Sequence, residues 1–111
     1  MENLLNETEK NALITARKTR TAALYRIEQL TIGYLEALTN LKKVNKELRT
    51  EADENRRRLL TISQDEIKKA LARYRNELKQ WNRLLILAEA DKAAILKTKA
   101  RRLLQERNKT R

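Results

Sequence analysis

The chain has no proline, cysteine, histidine or phenylalanine, and only one glycine and one tryptophan in 111 residues. Average usage would supply about a dozen glycines and prolines together. Turns and strand boundaries draw on those two residues for their backbone angles, so their near-absence excludes most mixed folds and predicts almost unbroken helix. Without cysteine there is neither a disulfide nor a thiolate site, which fits a reducing compartment. Without cysteine and histidine the usual transition-metal ligands, nucleophile–base pairs and imidazole proton shuttles are missing. The lone Gly33 stands in neither a GxxxxGK nor a GxGxxG context, so no glycine loop is available to cradle a phosphate.

Long apolar runs are missing too. The longest, Leu84-Leu85-Ile86-Leu87-Ala88, stops at Glu89, far short of the roughly 18 apolar residues of a membrane span. The start, Met1-Glu2-Asn3-Leu4-Leu5-Asn6-Glu7, has neither the positive flank nor the apolar run of a secretory signal, and position 2 is not the glycine that myristoylation needs. The expectation is a soluble, intracellular protein of the cytoplasm.

Charge and periodicity are what the sequence does contain. Lys and Arg number 26 against 15 Asp and Glu, a formal net charge of +11. Hydrophobic residues make up 41% but aromatics only 4%, enough to line a seam between helices but not to fill a thick globular core. A single helical domain over residues 1–111 follows.

Asn6 with Glu9 forms a capping box, so the first helix is expected to begin near Glu7. Downstream, Leu24, Leu38, Ala52 and Leu59 share one heptad position, and Leu13, Ile27, Tyr34, Leu41, Leu48 and Ile62 share the other, the 3.5-residue spacing of a coiled-coil seam. Ala23, Leu30, Ala37 and Val44 lie beside it and widen the stripe, which suits a hairpin or small bundle. Asn45, Asn55 and Thr31 interrupt the seam, where a buried Asn can fix register. In the second half Ile67, Leu71, Tyr74, Leu78, Trp81, Leu85 and Ala88 continue the alternating steps. Lys92 and Lys99 then fall on the seam, and the apolar stripe moves to Leu96, Ala100 and Leu103, a phase shift of the kind that alters supercoiling.

The position of the break decides the fold. Acid-before-base pairs Asp53–Arg57 and Glu54–Arg58 favour continued helix, whereas Ser63-Gln64-Asp65-Glu66 offers a second capping box. The reading is therefore all-α: helix 1 over about 7–60, a turn at about 60–63, helix 2 over about 64–108, and a basic C-terminal end at 92–111. This is a long antiparallel helical hairpin, a two-helix coiled coil, expected to assemble into a dimer or bundle because two helices alone bury little surface. A further break at Thr50-Glu51-Ala52-Asp53 would make a three-helix bundle instead. The interface is assigned to Leu24, Ile27, Tyr34, Leu38, Leu41, Leu48, Leu71, Tyr74, Leu78, Trp81 and Leu85.

No catalytic residue, metal ligand, cofactor or small-molecule substrate is expected, and the chain reads as a non-enzyme. The adjacent carboxylates Asp53–Glu54 and Asp65–Glu66 point to different sides of a helix and serve the dipole and ion pairs. The working signal is charge. Residues 92–111 hold eight basic residues and one acidic, and clustered Lys and Arg gain from releasing counterions on a phosphate backbone without sequence-specific geometry. The residues assigned to polyanion binding are Lys97, Lys99, Arg101, Arg102, Arg107, Lys109 and Arg111, with a smaller cluster at Arg56, Arg57 and Arg58. Nucleic acid ranks first as partner, an acidic protein second, and an anionic membrane surface third. The tail has no Trp or Phe to anchor in lipid, and its leucines are expected to pack on Leu4, Leu5 and Leu13. Tyr25, Tyr34, Tyr74 and Trp81 lie on or beside the apolar stripes and read as packing anchors more than base-stacking platforms.

A long basic antiparallel pair with both termini at one end is similar in general form to the stalk proteins of flagellar and type III secretion export ATPases. That resemblance implies a structural adaptor docking on a protein partner. It carries no residue roles onto this chain.

Overall fold

A computed structural model describes residues 4–109 and contains two helices, α1 (Glu7–Thr50) and α2 (Glu54–Lys109), with no strand among them. The fold is a helical hairpin. The first boundary falls where the sequence places it. The Glu9 amide donates to Asn6 Oδ1 at 2.8 Å and the Asn6 amide donates to Glu9 Oε1 at 3.1 Å, so two amides with no intrahelical acceptor are satisfied reciprocally.

The turn is not at 60–63. It occupies residues 51–53, the position expected only of a third helix, and α2 runs uninterrupted through Ser63. Asp53, not Ser63, is the cap: the Asn55 amide donates to Asp53 Oδ1 at 3.0 Å, and the Arg57 amide donates to the Asp53 carbonyl as the first turn of α2 begins. Arg57 then leaves its expected partner Asp53 and donates from Nη1 to the Leu48 and Glu51 carbonyls at 2.9 and 3.0 Å, closing the end of α1 where carbonyls lack amides. No described residue has a positive φ, which is how the chain reverses here without glycine.

Each helix passes through two compact units. The turn unit comprises Arg26–Trp81. In it Leu30 and Leu71 are buried, and Ile27, Tyr34, Ala37, Leu38, Leu41, Val44, Leu48, Ile67, Tyr74, Leu78 and Trp81 are half-buried along the two facing stripes. Gly33 faces the Tyr74 ring at short range, since a Cβ built on it would lie 2.9 Å from that ring. Asn45, an expected interruption, pairs instead with Gln64 at 2.7 Å, partly buried, a directional contact that pins one helix against the other. Arg26 and Glu77 pair across the helices at 3.0 Å, and the Arg75 guanidinium lies 5.9 Å from the Tyr34 ring centroid. Asn55 and Thr31 are exposed. Leu59 and Ile62, placed on the seam by the heptad reading, are 66% and 56% exposed, because the earlier turn leaves Leu60 as the inward residue of that stretch.

The terminal unit comprises the chain up to Tyr25 and from Asn82 onward. Its buried residues are Leu5, Leu13, Ala16, Ala23 and Ala88. Here one of the two expected heptad positions of α1 needs correction by one residue, while Leu13 of the other is buried as expected. Leu24, assigned to the interface, is 41% exposed, whereas Ala23 is completely buried. The column of small residues faces inward because a methyl group lets helix axes approach more closely than a leucine does. Arg20 pairs with Glu89 across the two helices.

Beyond Ala88 the inward residues of α2 are Lys92, Ile95, Thr98 and Arg102. Two successive three-residue steps replace the regular four-three alternation, so Thr98 takes the place expected of Lys99. The tail leucines, expected to pack on Leu4, Leu5 and Leu13, keep much of their surface in solvent. Leu103 and Leu104 are 41% and 57% exposed, and Leu96 37%.

Candidate polyanion-binding surface

Exposed cations without an ion pair occur in both units, Lys42, Lys46, Lys68 and Lys79 of the turn unit among them, but the terminal unit has fewer carboxylates to offset its own. That unit holds 13 basic residues against 6 acidic ones, a larger imbalance than the 13 against 9 of the turn unit. Its C-terminal helical stretch holds Lys97, Lys99, Arg101 and Lys109, all exposed and none of them in an ion pair among the described residues. After Asp91 the only acidic side chain on α2 is Glu106. Long helical side chains there keep their heads in water, and cations near a helix C-terminus are also favoured by its dipole.

Other assigned cations are placed differently. Arg102 turns inward, donating from Nη1 to the Leu4 carbonyl at 2.9 Å and to Glu9 Oε1 at 2.5 Å, so it ties the end of α2 to the start of α1. The guanidinium at Glu9, followed by the Asn6 amide, holds the Glu9 carboxyl below the ordinary value of 4.5. A carboxylate lowered in this way contributes stability that is fully present above its unfolded-state value and is lost as the pH falls through its folded-state value. The terminal unit should therefore weaken below the ordinary value of 4.5. In thermal unfolding followed by circular dichroism, the midpoint lost on acidification should be smaller in Arg102→Gln than in the parent protein. An equal loss in both would show that this pair is not a source of the pH dependence.

The Arg56-Arg57-Arg58 cluster builds the turn. Arg56 pairs with Glu51 at 3.4 Å, Arg57 caps α1, and Arg58 pairs with Glu54 at 3.9 Å. Arg107 is exposed on α2 and has a partner within the protein. Arg111 lies outside the described residues. Two candidate contacts were missed in the sequence. Arg17 and Lys18 are exposed on α1 beside Tyr25, which is 65% exposed. The signal was available, since Lys18, Thr21 and Tyr25 fall at helical spacing, but Tyr25 adjoins Leu24, and a heptad column through Leu24 draws both inward.

An open groove of about 600 Å³ in the turn unit is lined by Gly33, Asn40, Lys43, Glu47, Arg73 and Tyr74 among others, a mixed set in which neither charge sign dominates. Among the described residues no three His, Cys, Asp or Glu side chains come together as a metal could require, and no helix is long and apolar enough to cross a membrane. Comparison with protein families, curated proteins and solved structures finds no match to this chain.

Proposed function

We propose that this protein is a non-enzymatic helical adaptor: a hairpin that presents the basic end of α2 to a polyanionic macromolecule. The observation that carries the reading is the exposed set Lys97, Lys99, Arg101 and Lys109, left without ion pairs on a stretch whose one carboxylate is Glu106, while Arg56 and Arg58 have acidic neighbours and Arg57 and Arg102 bond backbone carbonyls. Cations that are neither paired nor screened by neighbouring carboxylates keep their counterions until a polyanion displaces them, and that release drives binding. Heparin is a suitable probe because it offers anionic charge alone. Its affinity should fall steeply with salt, and Lys97→Ala/Lys99→Ala/Arg101→Ala should lower the slope of log affinity against log salt by about one for each contact removed. Salt-independent binding, or a triple variant indistinguishable from the parent, would refute it.

A second reading, nucleic acid as the polyanion, is favoured by Tyr25 beside Arg17 and Lys18. An exposed ring next to cations can stack a base while the cations hold phosphates.

A further inference from the structure

Resting on the polyanion-binding reading, we infer that the partner is an acidic amphipathic helix that docks along the outer stripe of α2. Beside the inward line of Lys92, Ile95, Thr98 and Arg102, a second heptad pattern faces solvent on the same helix: Ala93, Leu96, Ala100 and Leu103, in steps of three, four and three. Ala93 and Ala100 are exposed, Leu96 and Leu103 are 37% and 41% exposed, and Leu104 beside them is 57% exposed. Seven residues before Ala93, Ile86 is 66% exposed and prolongs the line. A polyanion held by charge alone gives these apolar residues nothing to do. A helix with its own 3.5-residue stripe does, since small and large residues alternating along a helix let a partner approach closely and seat its knobs.

Charge selects the kind of helix. The positions flanking this stripe carry Lys99 on one side, between the inward-leaning Lys92 and Glu106, and Lys97 on the other, with Arg101 one turn beyond Lys97. In a coiled coil the flanking positions face the flanking positions of the partner. A second copy of this chain would set Lys99 against Lys99 in the antiparallel orientation and against Lys97 in the parallel one, which is repulsive, and offers a single flanking acid, Glu106, in return. A partner with glutamates at its flanking positions would meet a cation on both sides. A bilayer is a poorer fit. The stripe offers no aromatic, and its alanines insert little apolar volume below a lipid headgroup.

The test uses the full chain and a three-heptad synthetic peptide with leucine at its core positions and glutamate at its flanks, beside a peptide of identical composition permuted to destroy the heptad. The intact heptad should bind at least about tenfold more tightly than the permuted one, and Leu96→Gln/Leu103→Gln should lose about tenfold of that affinity while binding heparin like the parent. Both leucines are exposed, so this variant should unfold at the parental temperature. Lys97→Glu/Lys99→Glu should lose the acidic peptide and gain one with lysine flanks, a switch that a merely structural role for these lysines would not produce. Equal binding of the two peptides, with heparin binding intact, overturns the helix partner and leaves the polyanion reading standing. Preference for duplex DNA or for phosphatidylserine vesicles over the heptad peptide, unaffected by the leucine changes, also overturns it. Loss of heparin binding by the parent removes the underlying reading itself.

Discussion

Replacing Ala23 by glutamate is expected to destabilise the protein by about 3 kcal/mol or more, whereas the same change at the adjacent Leu24 should stay within about 0.5 kcal/mol. The two residues differ by one step in sequence and by their place on the helix surface: Ala23 is fully buried and Leu24 is 41% exposed. At position 23 the carboxylate would need either to remain charged between two helices or to push them apart. Both carry large costs, because the nearest cations, Arg20 and Arg26, are already paired with Glu89 and Glu77 and a fully buried position leaves no volume for the longer side chain. At position 24 the carboxylate reaches water. Chemical denaturation of both variants measures the contrast. A tolerated Ala23→Glu together with a damaging Leu24→Glu would restore the register read from the heptads and shift the face of α1 that meets α2.

The second large effect belongs to the turn unit. Leu71 is 3% exposed, and truncation to alanine removes buried methylene groups and leaves a partly collapsed space, a loss of about 2–4 kcal/mol. In a hairpin where only Leu30 and Leu71 of this unit are buried hydrophobics, that is a large share of the roughly 5–15 kcal/mol by which small proteins are stable. Ile62→Ala provides the control. Ile62 stands on the seam predicted from sequence yet is 56% exposed, so its truncation should cost less than about 0.5 kcal/mol. Thermal or urea unfolding of the pair distinguishes the two arrangements, for a continuous first helix reaching residue 60 would bury Ile62 and make both truncations costly.

These two contrasts locate what the sequence does and does not reveal. In α2 the inward line Ile67, Leu71, Tyr74, Leu78, Trp81, Leu85 and Ala88 is legible because apolar residues recur in unbroken four- and three-residue steps, with mostly polar neighbours as far as Arg83. In α1 two adjacent columns are both apolar, one with Leu24 and Leu38 and one with Ala23, Leu30, Ala37 and Val44. Hydrophobicity alone cannot choose between them. The choice falls to steric fit across the interface, in which small residues such as Ala23 and Gly33 win at points of close approach.

The turn was obscured for a different reason. An acidic residue four positions before a basic one supports a helix interior and equally describes a cap followed by its first turn. Asp53 and Arg57 satisfy the pattern in its second sense: one caps α2 while the other closes α1. Arg57 has the reach to bond the Leu48 carbonyl, nine residues back, a pairing that no local pattern signals. The same tertiary demand separates the arginines predicted to hold a polyanion. Arg102 adjoins Arg101 in one basic run, but only Arg102 reaches Glu9 and the Leu4 carbonyl, because it falls on the inward line that runs from Ala88 through Lys92 and Ile95. The concentration of charge after Asp91 was legible at once. Which of those charges remain available to a partner depended on contacts across the two helices that a count of charges does not show.

The measurement that bears most directly on the account is an amide chemical-shift titration of the full chain with heparin, read residue by residue. Perturbations should concentrate on α2 from Lys97 to Lys109 and diminish as salt is raised, while the amides around Arg56, Arg57 and Arg58 stay in place. Perturbation centred on the turn arginines, or no saturable change anywhere on α2, would contradict the assignment of the basic end of α2 as the binding surface.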